Sequence, residues 1–115
     1  QFEPWQVRMM VKATLPDQVL YEISLNQPAL LNKRDALENY TLTCELLDVA
    51  ITYKIKALQE QVSFVMTGMA LNEQFYNVPF MQERLEQCKA GNDTFTNVLS
   101  NLNEEELKTL AQELT

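Results

Sequence analysis

The side chains available for chemistry in this chain are carboxylates and two thiols, because the sequence contains no histidine. That absence removes the commonest general base and the commonest zinc ligand. Glu45 with Asp48 and Glu83 with Glu86 are carboxylate pairs at helical spacing, but such pairs mostly form solvated helix faces. Only two glycines are present, too few for a Gly-rich phosphate loop. The sequence therefore predicts a protein that is not an enzyme and holds neither metal nor cofactor.

Cys44 and Cys88 are the two cysteines of the chain. They can form one disulfide, and closing a loop of roughly 45 residues would stabilise the fold by about 4 kcal/mol in the chain-entropy model. The alternative is a pair of buried free thiols. We predict the disulfide between Cys44 and Cys88.

Two further features favour an extracellular protein. Asn39-Tyr40-Thr41 and Asn92-Asp93-Thr94 both match the acceptor sequence for N-glycosylation. The site at Asn92 lies in a predicted loop, whereas Asn39 lies within a predicted helix and is the weaker candidate. The chain begins Gln1-Phe2-Glu3-Pro4 without an initiator Met, as a secreted protein after signal cleavage or a trimmed piece would. We expect a secreted protein.

The charge balance narrows the possible partners. Sixteen acidic and nine basic residues give a net charge of −7. Nucleic acids and anionic membranes both require a basic face, so neither is an expected partner. No apolar run approaches the ~20 residues that a bilayer-spanning helix needs. The acidity serves either solubility or the steering of a basic protein partner.

One long apolar row dominates the pattern and predicts a central helix from residue 37 to residue 69. Its members recur at every third or fourth position: Leu37, Tyr40, Cys44, Leu47, Ile51, Ile55, Leu58, Val62, Val65 and Met69. A second row widens the first half of this face: Leu42, Leu46, Val49, Ala50 and Tyr53. This spacing is that of one helix face, and ~33 residues would make a rod of ~50 Å. We therefore expect the remaining helices to pack around this rod.

Shorter helices are predicted on both sides of the rod. Prolines and breaks divide them into residues 4–15, 15–26, 29–39, 79–89, 94–101 and 104–114, and the third could continue into the rod or bend before it. Gly91 can close the helix that begins at Pro79, and Asn103 with Glu106 has the form of a capping box. No segment alternates with period two. The prediction is a single all-α domain, residues 1–115: a compact bundle of five to six helices around one long central helix, with one disulfide.

Two apolar patches are candidate partner-binding surfaces. Trp5 and Met9 share a line on the predicted first helix, and Trp and Met are favoured interface anchors. Phe75, Tyr76 and Phe80 form an uncharged aromatic turn that could enter a partner's pocket. The alternatives are that the first helix packs on the rod and that the turn plugs the end of the bundle.

An internal ligand cavity is a third possibility. Large soft side chains could line it: Phe64, Met66, Met69, Phe75, Phe80 and Met81. A solid core is the alternative interpretation of the same residues.

A small, acidic, histidine-free helical chain with one pair of cysteines, Cys44 and Cys88, resembles the albicin family of anopheline mosquito salivary proteins. The resemblance covers the chain length, the helix-only pattern and the cysteine pair. It implies an inhibitor of the alternative pathway of complement that binds and locks the assembled convertase, so that the substrate is excluded. It assigns no individual binding residue.

The leading hypothesis is thus a secreted, non-enzymatic and monomeric inhibitor that occludes a host blood protease cascade complex. A secreted carrier of a small hydrophobic ligand, such as a lipid or an odorant, is the main alternative. A structural or signalling protein that dimerises through its apolar patches is a third.

Overall fold

Within residues 15–112, which the computed structural model describes, the predicted all-α fold is confirmed and no strand is present. The helices are α1 (Leu15–Asn26), α2 (Ala36–Thr52), α3 (Leu58–Ala70), α4 (Pro79–Lys89), α5 (Phe95–Ser100) and α6 (Glu104–Gln112). Short 3-10 helices occupy Pro28–Lys33 and Phe75–Asn77. One hydrophobic core cluster takes members from all six α-helices. The predicted helix over residues 4–15 lies outside the described residues.

The predicted rod is wrong, because the chain turns back between α2 and α3. The turn is a Schellman motif, in which Ile55 N–H donates to Ala50 O at 2.9 Å and Lys54 N–H donates to Ile51 O at 2.9 Å. Lys54 adopts φ +61°, a left-handed conformation that usually selects glycine. The sequence does not predict this turn, since residues 53–57 contain neither Gly nor Pro.

The reversal also changes which face of α2 is buried. Leu37 and Ile51, from the row predicted to be inward, are 73% and 53% exposed. The second row supplies most of the core on α2, with Leu46 and Ala50 fully buried, and Leu47 is the member of the first row on this helix that is buried as predicted. Because α3 folds back along α2, the face of α2 that meets α3 is buried. The face that carries Leu37 and Ile51 is left exposed.

Helix α3 is the element on which the others pack, since it contacts α1, α2, α5 and the 3-10 helix Pro28–Lys33. Its close approach to α2 depends on Gly68. A methyl group at Gly68 would lie 2.6 Å from Leu46 Cδ1, which is closer than carbon atoms approach. The glycine near the end of this segment therefore allows the two helices to touch.

Helix α2 begins with a capping box, and this box shows that the predicted third helix, residues 29–39, does not continue straight into the next helix. Asp35 accepts a hydrogen bond from Glu38 N–H at 2.8 Å, and Asp35 N–H donates to the Glu38 carboxylate at 3.0 Å. The chain therefore bends at Asp35 instead of running straight into α2.

The predicted disulfide is not formed, and Cys44 and Cys88 are free thiols. Cys44 lies on α2, whose principal contacts are with α1 and α3. Cys88 lies on α4, which packs mainly on the 3-10 helix Phe75–Asn77 and on α5. The two helices that carry the cysteines are therefore not principal neighbours in the bundle.

The last three helices follow the predicted boundaries closely. Met81, Leu85 and Cys88 are buried along α4. Gly91 ends α4 with φ +84° in a second Schellman motif. The cap of α5 is Thr94, whose side chain accepts a hydrogen bond from Asn97 N–H at 3.2 Å.

Lys54→Gly should stabilise the protein by about 1 kcal/mol, because it removes the steric cost of a side chain in the left-handed conformation. Gly91→Ala, in the equivalent position of the second Schellman motif, should destabilise it by about 1 kcal/mol. Urea unfolding followed by circular dichroism measures both. Destabilisation by Lys54→Gly would contradict the assigned turn.

Candidate partner-binding surface

An open pocket of about 720 Å³ lies where the end of α2 meets the start of α4. Tyr53 follows the last turn of α2, and Pro79 and Phe80 form the first turn of α4, which begins at Pro79 because proline suits that position. Glu83 and Glu86 come one and two turns further along the same face of α4. The pocket therefore combines two half-buried aromatic rings with an acidic rim.

The two glutamates of the rim are exposed and belong to neither ion pair found among residues 15–112. Burial, and secondarily the charge of Glu86, raises the pKa of Tyr53. The Tyr53 hydroxyl thus remains a neutral hydrogen-bonding group beside a carboxylate. The local field favours a cation.

Phe80 already carries a cation on its ring. The Arg84 guanidinium lies 5.1 Å from the ring centroid, within the range of a cation–π contact. Arg84 is held there by an ion pair with Glu106 of 2.5 Å. Glu106 also closes the predicted capping box of α6, in which Glu106 N–H donates to Asn103 at 2.8 Å and Asn103 N–H donates to the Glu106 carboxylate at 3.2 Å.

The three aromatic residues predicted to contact a partner have different environments. Phe75 is fully buried, with its ring centroid 4.9 Å from that of Phe64 and 6.2 Å from that of Phe95. It is a core residue and offers no surface to a partner. Tyr76 is half-buried beside this cluster, and Phe80 is half-buried at the pocket. The other predicted contacts, Trp5 and Met9, lie outside the described residues.

The two predicted glycosylation sites also differ. Asn39 is only 6% exposed, and its Nδ2 donates to Leu31 O at 2.9 Å and Arg34 O at 3.3 Å. A glycan on that nitrogen would break this packing, so the geometry argues against modification at Asn39. Asn92 is exposed in the turn after α4, and its Nδ2 donates to the Gln87 side chain at 3.0 Å.

Four of the six residues predicted to line an internal cavity lie in the core: Phe64, Phe75 and Met81 are fully buried, and Met69 is almost so. The other two, Met66 and Phe80, are half-buried. The chain has a separate open groove of about 440 Å³, lined by Gln27, Leu30, Ser63, Met66, Thr67, Ala70, Leu71, Leu99, Leu102 and Leu107. No charged residue lines it. Sequence reasoning placed only Met66 of this set near a ligand.

Other classes of site have little support within residues 15–112. No group of His, Cys, Asp or Glu in this range is arranged to hold a metal ion. None of the described helices is both long and apolar enough to span a membrane. Burial, chiefly, raises the pKa of the Cys88 thiol to about 11, so this buried cysteine is not an activated nucleophile.

The sequence predicts Phe80 as a partner contact but does not predict the pocket around it. The second apolar row predicts that Tyr53 is buried, and the spacing of Glu83 and Glu86 is typical of a solvated helix face. These residues come together only because the chain turns after α2. The sequence does not predict that turn, since it has no Gly or Pro there.

Comparisons with known protein families, characterised proteins and solved structures find no match to this chain.

The Arg84–Glu106 contact should make stability depend on pH. The hydrogen bond from Arg84, followed by that from Asn103 N–H, lowers the pKa of Glu106 from 4.5. A lowered pKa contributes stability above the unfolded value, and this contribution is lost as pH falls through the folded value. Glu106→Gln, which can keep the capping box, should therefore be less stable than the parent at pH 7, with the difference shrinking towards pH 3.

Glu105→Gln is the matched control, because it lies in the same first turn of α6, is exposed, and forms no ion pair among the described residues. Urea unfolding at a series of pH values measures both variants. A Glu106→Gln effect that is the same at every pH would contradict the charge-dependent contact.

Proposed function

We propose that this protein is a secreted, non-enzymatic inhibitor that binds a host blood protease cascade complex, the alternative-pathway complement convertase. The observation that carries the binding role is the pocket formed by Tyr53, Phe80, Glu83 and Glu86. The target is taken from the resemblance to the albicin family. The exposed acceptor site at Asn92 supports secretion.

Binding at this pocket would use two different contributions. The rim glutamates, in a chain of net charge −7, would raise the association rate towards a basic surface. Phe80 and Tyr53 would supply the desolvated contact that sets the residence time. Phe80 is presented rigidly, because it lies in the first turn of α4 and is stacked by Arg84.

Inhibition would result from occlusion. A bound chain excludes the substrate from the assembled complex and needs no nucleophile, metal or cofactor of its own. Trp5 and Met9 remain predicted additional contacts from the amino-terminal part of the chain.

The direct test is lysis of rabbit erythrocytes by human serum in magnesium-EGTA buffer, where only the alternative pathway operates. We expect dose-dependent protection by the purified chain and none in a calcium-replete, antibody-triggered assay. Phe80→Ala should weaken inhibition ~30-fold or more, as removal of an interface anchor does, while circular dichroism shows an unchanged helix content.

Leu25→Ala is the matched control, because Leu25 is 62% exposed on α1 and lies outside the pocket. It should inhibit like the parent. Absence of protection at micromolar protein would refute the proposed target. Equal inhibition by Phe80→Ala and the parent would refute the pocket.

The apolar groove favours a second function, that of a carrier of a small hydrophobic ligand. Helix α3 forms one wall through Met66 and Ala70, and the chain around α5 and α6 forms the other through Leu99, Leu102 and Leu107. An uncharged aliphatic lining of this kind suits an acyl chain.

Native mass spectrometry of the protein purified from cells tests the carrier function. A carrier should retain a ligand, and Ala70→Phe should expel it, because Ala70 lines the groove and has room for a larger side chain. Ala90→Phe, at an exposed position outside the groove, should retain the ligand. A ligand-free parent chain would rule the carrier function out.

A further inference from the structure

The turn between α2 and α3 is made of residues that a turn does not prefer. Lys54 holds the left-handed position of the Schellman motif at φ +61°, where the equivalent motif after α4 has Gly91. Ala57 is the N-cap of α3 and makes no side-chain capping bond. By contrast, Asp35 caps α2 and Thr94 caps α5 through their side chains. Local sequence therefore supports this turn weakly at both of its ends.

Contacts outside the turn hold it closed. Ile55 is 3% exposed and is anchored in the core. The buried Gln61 side chain donates from Nε2 to Ile55 O at 3.1 Å. The reversal is thus stabilised by packing against α3 rather than by the conformational preference of residues 53–57.

The same residues are compatible with one continuous helix. Residues 53–57 contain no Gly and no Pro, so nothing in them breaks a helix. The apolar row passes through the turn in helical phase, with Ile51 on one side, Ile55 within it and Leu58 after it. A helix from Ala36 to Ala70 is therefore an available second conformation of this segment.

We propose that the turn opens in this way and that two copies of the chain then exchange their halves to form a domain-swapped dimer. The division of the fold supports exchange. One half holds α1, the 3-10 helix Pro28–Lys33 and α2, and the other holds α3 to α6. The principal contacts between the halves all fall on α3, which packs against α1, α2 and that 3-10 helix. The Arg34–Glu73 ion pair of 2.7 Å also joins them.

In the dimer each of these contacts is made again with the partner copy, because the contacting surfaces are unchanged. Only the turn differs. Opening releases the left-handed Lys54 and adds helical hydrogen bonds, whereas it removes the Ile55 anchor and costs the entropy of association. The balance makes the closed monomer the form at low concentration and the dimer the form that accumulates when unfolded chains refold together at high concentration.

Refolding from urea at 5 µM and at 1 mM, followed by size-exclusion chromatography with light scattering, measures the dimer. We expect a mass of 13.3 kDa after dilute refolding and twice that mass in a substantial fraction after concentrated refolding. A dimer refolded from a 1:1 mixture of isotope-labelled and unlabelled chains should show nuclear Overhauser effects between Leu46 methyl groups and Gly68 that are intermolecular, since these groups touch in the fold.

Hinge variants test the turn itself. Lys54→Gly should lower the dimerisation constant ~100-fold or more, because it relieves the turn and weakens the continuous helix at both hinges of the dimer. Lys56→Gly, the matched control, weakens the helix without relieving a left-handed residue and should lower it only ~10-fold. Ala57→Pro should abolish the dimer and keep the monomer, because φ at Ala57 is −70° and suits proline.

The exchange is overturned if the chain stays monomeric after refolding at 1 mM. It is equally overturned if a dimer forms whose Leu46–Gly68 effects are intramolecular, since that dimer would join exposed apolar surfaces. Equal effects of Lys54→Gly and Lys56→Gly would show that the left-handed turn is not what opens. Circular dichroism of each variant excludes loss of folding as the cause.

Discussion

The close contact between Leu46 on α2 and Gly68 on α3 is the interaction on which the rest of the fold depends. It requires the absence of a side chain at Gly68, and it lets the two helices approach closely at this point. Helix α3 packs against α2 and also contacts α1 and α5. Because Leu46 is fully buried, a larger residue at position 68 would have to displace the Leu46 side chain within the packed core.

That contact also decides where the candidate site lies. Turning the chain after Thr52 leaves Tyr53 at the end of the hairpin, next to the first turn of α4. The aromatic wall of the pocket therefore comes from two helices that are distant in sequence. The acidic rim comes from α4 alone, through Glu83 and Glu86. Without the reversal, Tyr53 would continue a helix face and Phe80 would have no aromatic neighbour across the pocket.

Much of the fold follows from local signals in the sequence. The bounds of α1 and α4, the left-handed Gly91 and the capping box of α6 all agree with prediction, because proline, glycine and capping residues act within one turn of helix. The rod was wrong because the reversal between α2 and α3 is stabilised by Ile55 and Gln61 through packing, which residue type alone does not encode. The disulfide was wrong because it requires α2 and α4 to be neighbours, and only the packing of the whole bundle decides which helices are neighbours.

In the candidate site, too, some features follow from local sequence and others depend on packing. Phe80 is a predicted partner contact because an aromatic residue beside a proline in an uncharged turn is recognisable in sequence. Phe75, only five residues earlier, has the same local character and is nevertheless fully buried against Phe64. Phe75 begins the 3-10 helix Phe75–Asn77 with its ring in the core, whereas Phe80 lies in the first turn of α4 with its ring half-buried at the pocket.

The strained turn and the pocket share one residue, and this couples them. Tyr53 is both the C-cap of α2 and a wall of the pocket. In a continuous helix across residues 53–57, Tyr53 would leave its place beside Phe80, so the pocket exists in full only when the hairpin is closed. A partner that fills the pocket binds the closed form and must stabilise it by mass action. The left-handed Lys54 adds a local cost to the closed form. Under the proposed exchange, binding at the surface and exchange between copies would therefore compete for the same segment of chain.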